Sequence, residues 1–376
     1  MSKQKIKVMS VFGTRPEAIK MCPLIKELEK HPDIESIVCL TGQHREMLDQ
    51  VMQIFDIQAD YDLQIMRPVQ TLTTITVDIL SKIEGILAKE QPDIVLVHGD
   101  TSTSFASALA AFYQKIPVGH VEAGLRTYNP YSPFPEEMNR CLTGKLASIH
   151  FAPTQKNAAN LRAEGIMEQI HVTGNTVIDA FHSTIKKDYT FKSLELRNIS
   201  FGGKRTILMT AHRRENLGAP LEAICKAVHR IIADFPDVQI VYPVHPNPRV
   251  RDTVHKYLAD LDRVYLTDPL DVEDMHNLMA KSFLVMTDSG GLQEEAPALG
   301  VPVLVLRTET ERPEAVEAGT VEVVGVEENA VYAKAAVLLT DQALYRKMAT
   351  AVNPYGDGHA SERIIDLLRL WADSRG

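Results

Sequence analysis

Phe283-Leu284-Val285-Met286-Thr287-Asp288-Ser289-Gly290-Gly291-Leu292-Gln293-Glu294-Glu295 reads as an apolar strand, a Ser-Gly-Gly turn and the first turns of a helix. A run of five apolar or small residues with no polar alternation suits a strand covered on both faces, the situation of a parallel sheet between helices. Working outward, the same strand-then-helix pattern recurs at 206–210, 239–244, 264–266, 301–306 and 320–324. An earlier series occupies 6–12, 36–40, 94–98, 118–121 and 150–152. Alternating βα units of this kind predict two doubly wound α/β domains of Rossmann type.

The chain of 376 residues exceeds what one core usually supports, which agrees with two domains. The polar stretch from His171 through Gly203 suggests a hinge, with the first domain at 1–172 and the second at 173–359. The segment 360–376 carries a helical stripe of Ile364, Ile365, Leu367, Leu368 and Trp371 and is expected to pack back on the first domain.

A formal net charge of -9 argues against nucleic acid or an anionic membrane surface as partner. The four cysteines, Cys22, Cys39, Cys141 and Cys225, form no CxxC pair and fit a reducing compartment. No stretch is long and apolar enough to span a bilayer, so the expected location is the cytoplasm. Neither a GxGxxG fingerprint nor a Cys/His ligand cluster is present, so no nicotinamide cofactor and no metal are expected.

In open α/β sheets ligands bind beyond the carboxyl ends of the strands, which selects a short list of residues. The first strand leads into Gly13-Thr14-Arg15-Pro16-Glu17-Ala18-Ile19-Lys20, placing Arg15 and Lys20 at the start of a helix, where a solvated surface pair is the plain alternative. Asp100 follows the strand 94–98, and it fits either an acid/base role or an ordinary helix N-cap. Glu122 ends the strand 118–121, a poor place for a carboxylate unless it is paired or functional. Glu136 stands in a proline-bounded loop four residues before Arg140, with which a surface ion pair is possible. Three carboxylates at one rim would raise one another's pKa and make proton transfer feasible.

In the second series, His212 is followed by Arg213 and Arg214, a plausible phosphate-facing group, while His245 reads equally well as a structural hydrogen-bonder. Ser289-Gly290-Gly291 at a helix start can admit a diphosphate to backbone N–H groups. Glu295, one turn further, can accept hydrogen bonds from ribose hydroxyls, and Arg312 adds a cation.

Taken together, these motifs resemble the bacterial non-hydrolysing UDP-N-acetylglucosamine 2-epimerases. The likeness runs in order through 13–20, 43–50, 97–100, 120–126, 135–137, 173–179, 212–215, 288–291, 311–314 and 353–358. The resemblance implies two Rossmann-like domains with the active site in the cleft between them, as in the GT-B glycosyltransferases, and a homodimer. It implies nucleotide contacts by Arg15, Ser289, Gly290, Gly291, Glu295 and Arg312, and roles in catalysis or substrate binding for Lys20, Asp100, Glu122, Glu136 and His212. It also implies activation by the substrate at a second site, for which Gln43 and His44 are the candidates. One departure stands at Met275, where many members carry an aromatic residue against the uracil; a thioether can still cover a base face.

The implied reaction interconverts UDP-N-acetylglucosamine and UDP-N-acetylmannosamine by eliminating UDP to 2-acetamidoglucal and adding it back, supplying precursors for cell-surface polysaccharide. Other readings of the same residues are a GT-B-like glycosyltransferase, a hydrolysing epimerase and a nucleotide-sugar binding module.

Overall fold

The computed structural model describes residues 5–43, 46–67 and 69–375. The chain forms two compact units, Met1–Ser183 with Tyr355–Gly376, and Thr184–Pro354.

The first unit is built on seven parallel strands: β1 (Ile6–Phe12), β2 (Ile34–Leu40), β3 (Tyr61–Asp62), β4 (Ile94–His98), β5 (Val118–Val121), β6 (Ile149–Ala152) and β7 (Ile170–Val172), in the order β3-β2-β1-β4-β5-β6-β7. The second unit repeats the plan with β8 (Arg205–Thr210), β9 (Val238–Pro243), β10 (Val264–Thr267), β11 (Leu284–Thr287), β12 (Val303–Val305) and β13 (Val321–Val323), in the order β10-β9-β8-β11-β12-β13. Each sheet reverses its winding once, beside β1 and β4 in the first unit and beside β8 and β11 in the second. Those two crevices are where the topology leaves room for ligands.

Helical periodicity explains how the sheets are covered. On the helix Leu72–Glu90, Ile75, Ile79, Ile83 and Leu87 recur every four residues, and all four are buried with Val95 and Val97 of β4. Each such side chain contributes about 1.5–3 kcal/mol when fully removed from water. In the second unit Ile224, Val228 and Ile231 of the helix Ala219–Asp234 do the same against Ile207 and Met209 of β8. Among the described residues, no helix is long and apolar enough to cross a membrane.

Strand limits follow the apolar runs closely except at the sheet margins, where the short strands β3 and β7 carry little apolar signal. β7 also moves the unit boundary. His171 and Val172, expected at a hinge, pair with Phe151 and Ala152 of β6, and the chain stays in the first unit until Ser183. The return crossing lies at Pro354/Tyr355 rather than after 359. The helix Ala360–Asp373 belongs to the first unit, its Ile364, Ile365, Leu368 and Trp371 are buried, and Arg369 donates to both carboxylate oxygens of Asp33 at 2.8 and 2.7 Å.

Three neighbouring strands of the first sheet each carry a buried histidine, His98, His120 and His150. His120 donates from Nε2 to the Gly99 carbonyl at 2.7 Å and His150 from Nε2 to the Gly144 carbonyl at 2.9 Å. Burial pushes His98 down to about 4 and His120 to about 3, so both are neutral in the folded protein near pH 7. Lowered folded-state pKa values mean that the unfolded chain takes up protons first, as pH falls below about 6.5. Each histidine should then remove about 1.4 kcal/mol of stability per pH unit down to its folded pKa. Equilibrium unfolding followed through Trp371 is expected to show a steep loss of stability between about pH 6.5 and 4; a midpoint that does not move over that window contradicts the neutral-histidine assignment.

Candidate functional site

In the first unit the site is assembled from the carboxyl ends of β1, β4 and β5. Thr14 caps the helix Arg15–Glu29, with Pro16 in its first turn as the sequence suggests, and Lys20 follows one turn on. Gly13 is required by close approach, because a Cβ there would lie 1.8 Å from the Thr41 hydroxyl. Lys20 Nζ is paired with Glu122 Oε1. The same Oε1 accepts from Asn175 Nδ2 at 3.0 Å, and Oε2 lies 3.6 Å from His98 Nε2. Glu122 holds a left-handed backbone with φ of 59°, a conformation that costs a non-glycine residue about 1–2 kcal/mol and is held by its surroundings.

Asp100 turns out not to be an N-cap: Thr101 caps the helix Ser102–Tyr113 through Ser104 N–H. Its carboxylate is instead paired with Arg140, while its backbone carbonyl accepts from Asn139 Nδ2 at 3.0 Å. Burial raises the Asp100 pKa, Arg140 opposes the rise, and the Glu122 and Glu136 charges add to it. The structure therefore brings Glu122 and Glu136 within electrostatic reach of Asp100. The surface pair suggested for Glu136 and Arg140 does not form. Arg140 pairs with Asp100 and with Glu137 at 3.3 Å, and Glu136 Oε2 is buried with no hydrogen-bond partner among the described residues. Arg15 is partly buried at the first position of its helix, and Gln43 accepts from Thr103 Oγ1 at 3.2 Å. His44 lies outside the described residues.

In the second unit the corresponding ends are those of β8 and β11. Asp288, fully buried, accepts from the backbone N–H groups of His212 and Arg213 at 2.7 and 2.8 Å and from Asn216 Nδ2 at 3.0 Å. It thereby fixes the loop that carries His212. The His212 ring stacks on His245 with centroids 5.0 Å apart and planes 7° from parallel, and its Nδ1 lies 3.5 Å from Asp288 Oδ1. Burial lowers the His212 pKa while Asp288 raises it. A bound anion would add to the Asp288 effect and favour the imidazolium.

Ser289 is the N-cap of the helix Gly290–Ala298 and makes no side-chain capping bond, which leaves the first-turn N–H groups for another acceptor. A Cβ on Gly290 would sit 3.1 Å from the Arg312 guanidinium carbon, so Arg312 stands beside this helix start. Arg312 is oriented by Glu294 at 2.8 Å and Glu311 at 3.1 Å. Glu295 lies 3.4 Å from His276 Nε2, and His276 is buried with its Nδ1 2.8 Å from Thr184 Oγ1. Met275, partly buried, precedes His276 on the helix Val272–Ala280.

Five residues escaped the reading of functional positions: Glu17, His98, Asn175, His276 and Asp288. Each acts on a neighbour brought close by the fold; Glu17, His98, Asn175 and Asp288 fall within the motifs 13–20, 97–100, 173–179 and 288–291, whereas His276 lies outside them. One consequence of the geometry concerns Gly290. Gly290→Val should weaken binding of a nucleoside diphosphate such as UDP by about tenfold or more, since the branched side chain enters the space between the helix N-terminus and Arg312. Calorimetry giving an unchanged UDP affinity for a folded variant would move the anion site elsewhere.

A family model described as UDP-N-acetylglucosamine 2-epimerase matches residues 26–369. The Bacillus subtilis UDP-N-acetylglucosamine 2-epimerase is 56% identical over 366 residues, covering 97% of this chain and 95% of that protein. The crystal structure of the Neisseria meningitidis UDP-GlcNAc 2-epimerase bound to UDP-GlcNAc is 50% identical, with a TM-score of 0.87 over 96% of this chain and 99% of the other. A glycosyltransferase of kitacinnamycin shares 12% identity at a TM-score of 0.63 over 97% of this chain and 100% of that one, a likeness of fold alone. With matches of this extent to both sequence and structure, the chain belongs to the UDP-N-acetylglucosamine 2-epimerase family.

Proposed function

We propose that the protein interconverts UDP-N-acetylglucosamine and UDP-N-acetylmannosamine by elimination and re-addition of UDP, without hydrolysis and without a redox cofactor. The observation that carries the reading is the group of Asp100, Glu122 and Glu136 at the switch point of one sheet. A binding module has no use for a buried carboxyl whose pKa two neighbouring carboxylates help to raise.

The C2 hydrogen of the sugar is not beside a carbonyl, so direct deprotonation faces a large barrier. Breaking the C1–O bond to UDP gives C1 oxocarbenium character and acidifies C2–H; loss of that proton leaves 2-acetamidoglucal and UDP. In this reading the departing diphosphate is received by the first-turn N–H groups at Gly290 and Gly291, by Arg312 and by protonated His212. Glu295, positioned by His276, takes the ribose hydroxyls, and Met275 lies against the uracil.

Glu122 faces the Lys20 ammonium and the Asn175 amide, which favour its ionised form and suit a base. Asp100, raised chiefly by burial, suits an acid. Protonation of the glycal at C2 from the face opposite to abstraction, with return of UDP to C1, gives the manno epimer. Every bond broken in the first half is remade in the second.

Around this core stand three further parts of the proposal. The substrate-activation site includes Gln43, which touches the helix after β4 through Thr103. Self-association as a homodimer is supported by apolar side chains left exposed on two packed helices, Val77 on Leu72–Glu90 with Phe112 and Tyr113 on Ser102–Tyr113. The product feeds cell-surface polysaccharide, made in the cytoplasm.

Running the reaction in D₂O tests the elimination. Deuterium should appear at C2 of the UDP-N-acetylmannosamine formed, because the abstracted proton passes to a side chain that exchanges with solvent. Product that keeps its C2 hydrogen through many turnovers would contradict the mechanism, and free N-acetylmannosamine as the main product would show a hydrolysing enzyme instead.

A further inference from the structure

Two sequence stretches, 173–179 and 353–358, lie mostly in the first unit, and of their residues only Asn175 has entered the chemistry so far. They lock onto one another. Asn175 N–H donates to the Tyr355 carbonyl at 2.7 Å. Gly174 holds φ of 90°, and a Cβ on it would come within 3.3 Å of Gly356 Cα and the Tyr355 carbonyl oxygen, so only glycine fits both the conformation and the approach. Arg363 grips both carboxylate oxygens of Asp357 at 2.8 and 2.7 Å and donates to the Thr173 carbonyl at 3.1 Å. Asp179 accepts from the N–H groups of Ala360 and Ser361 at 3.2 and 2.6 Å, capping the C-terminal helix from outside it.

At the centre of this lock sits Asn175, itself buried. Its Oδ1 accepts from Val177 N–H at 3.1 Å as the N-cap of Thr176–Asp179. That bond decides which end of the amide is the oxygen, so Nδ2 is the donor to Glu122 Oε1 at 3.0 Å. Backbone and side chain of Asn175 are thus both held by hydrogen bonds of their own. The geometry points to Asn175 as a positioning residue for Glu122, held in place by the C-terminal lock so that the carboxylate keeps one orientation through the reaction.

This inference rests on the reading of Glu122 as an acid/base group. Other groups that face Glu122 include Lys20 on the helix Arg15–Glu29, His98 on β4, and Asp100 just beyond β4. A chemical asymmetry in Asn175 makes the idea testable without breaking the fold. Asn175→Asp keeps an oxygen acceptor for Val177 N–H and so keeps the cap, but it replaces the donor toward Glu122 with a second carboxylate oxygen. Two carboxylates at hydrogen-bond distance cannot both ionise easily, so the pair retains a proton to higher pH. Lys20, His98 and Asp100 are the same in wild type and variant.

The experiment compares wild type, Asn175→Asp and Asn175→Ser, a serine being a good cap that is too short to reach Glu122. Asn175→Asp should melt within a few degrees of wild type, lose about tenfold or more in kcat near neutral pH, and show the acidic limb of its kcat/KM profile displaced upward by about one pH unit or more. Asn175→Ser should lose kcat with little change in KM. A carbon-13 NMR titration of the Glu122 carboxyl should show the same upward displacement in Asn175→Asp. A wild-type pH limb and an unshifted Glu122 titration in a folded Asn175→Asp variant would overturn the inference. Because the titration reads the contact itself, it separates this failure from that of the functional reading, which would show as absent epimerisation by the wild type.

Discussion

One buried carboxylate organises the carboxyl ends of β1 and β4 in the first sheet. Glu17 accepts from Gly13 N–H at 3.1 Å and from Thr14 N–H and hydroxyl at 2.8 Å each, while its other oxygen accepts from the Thr101 hydroxyl at 2.6 Å and the Ser104 hydroxyl at 3.1 Å. An isolated carboxylate in such a place would be strongly disfavoured. Burial does raise its pKa, and the hydrogen bonds act in the opposite direction. The result is a rivet between the loop after β1 and the helix after β4. Lys20 lies three residues beyond Glu17 on the same helix, and Asp100 immediately precedes Thr101. Both candidate catalytic groups therefore inherit their positions from it.

The second unit uses the same device for a different end. Asp288, at the close of β11, accepts from the backbone after β8 and holds His212, as Glu17 joins the strand ends on either side of the switch point in the first unit. Two Rossmann-like sheets with one strand order thus carry complementary chemistry. The first presents carboxylates, and the second presents a glycine-opened helix start with Arg312 beside it. The division of labour follows from which side chains occupy equivalent strand ends rather than from any difference in fold.

Much of this was legible in sequence because it is local. The runs at Ile6–Phe12, Ile94–His98 and Val118–Val121 are bounded by turn chemistry that leaves little choice of register, and the residues after them are the ones that meet at the crevice. What sequence could not show is contact between residues far apart. Asn175 and Glu122 are 53 positions apart, and Asp179 lies 182 positions from Ser361, whose N–H it accepts. Asp100 suits a cap as well as an acid by local rules, and only the presence of Thr101 in the capping position separates the two. The ion pair imagined for Glu136 and Arg140 obeyed helix spacing, but the tertiary partner Asp100 took the arginine. The stretch near 172 read as polar and hinge-like for a related reason, since β7 is short and partly exposed and its strand character depends on β6.

The central claim is that Glu122, fixed by Lys20 and Asn175, moves the C2 proton while the nucleotide is held by other residues. The most direct measurement is the turnover number of Glu122→Gln for UDP-N-acetylglucosamine, taken together with its UDP affinity. Glutamine preserves size and removes the proton-transferring group, so kcat should fall by about 10²-fold or more with UDP affinity unchanged. Turnover within a few-fold of wild type would contradict the claim.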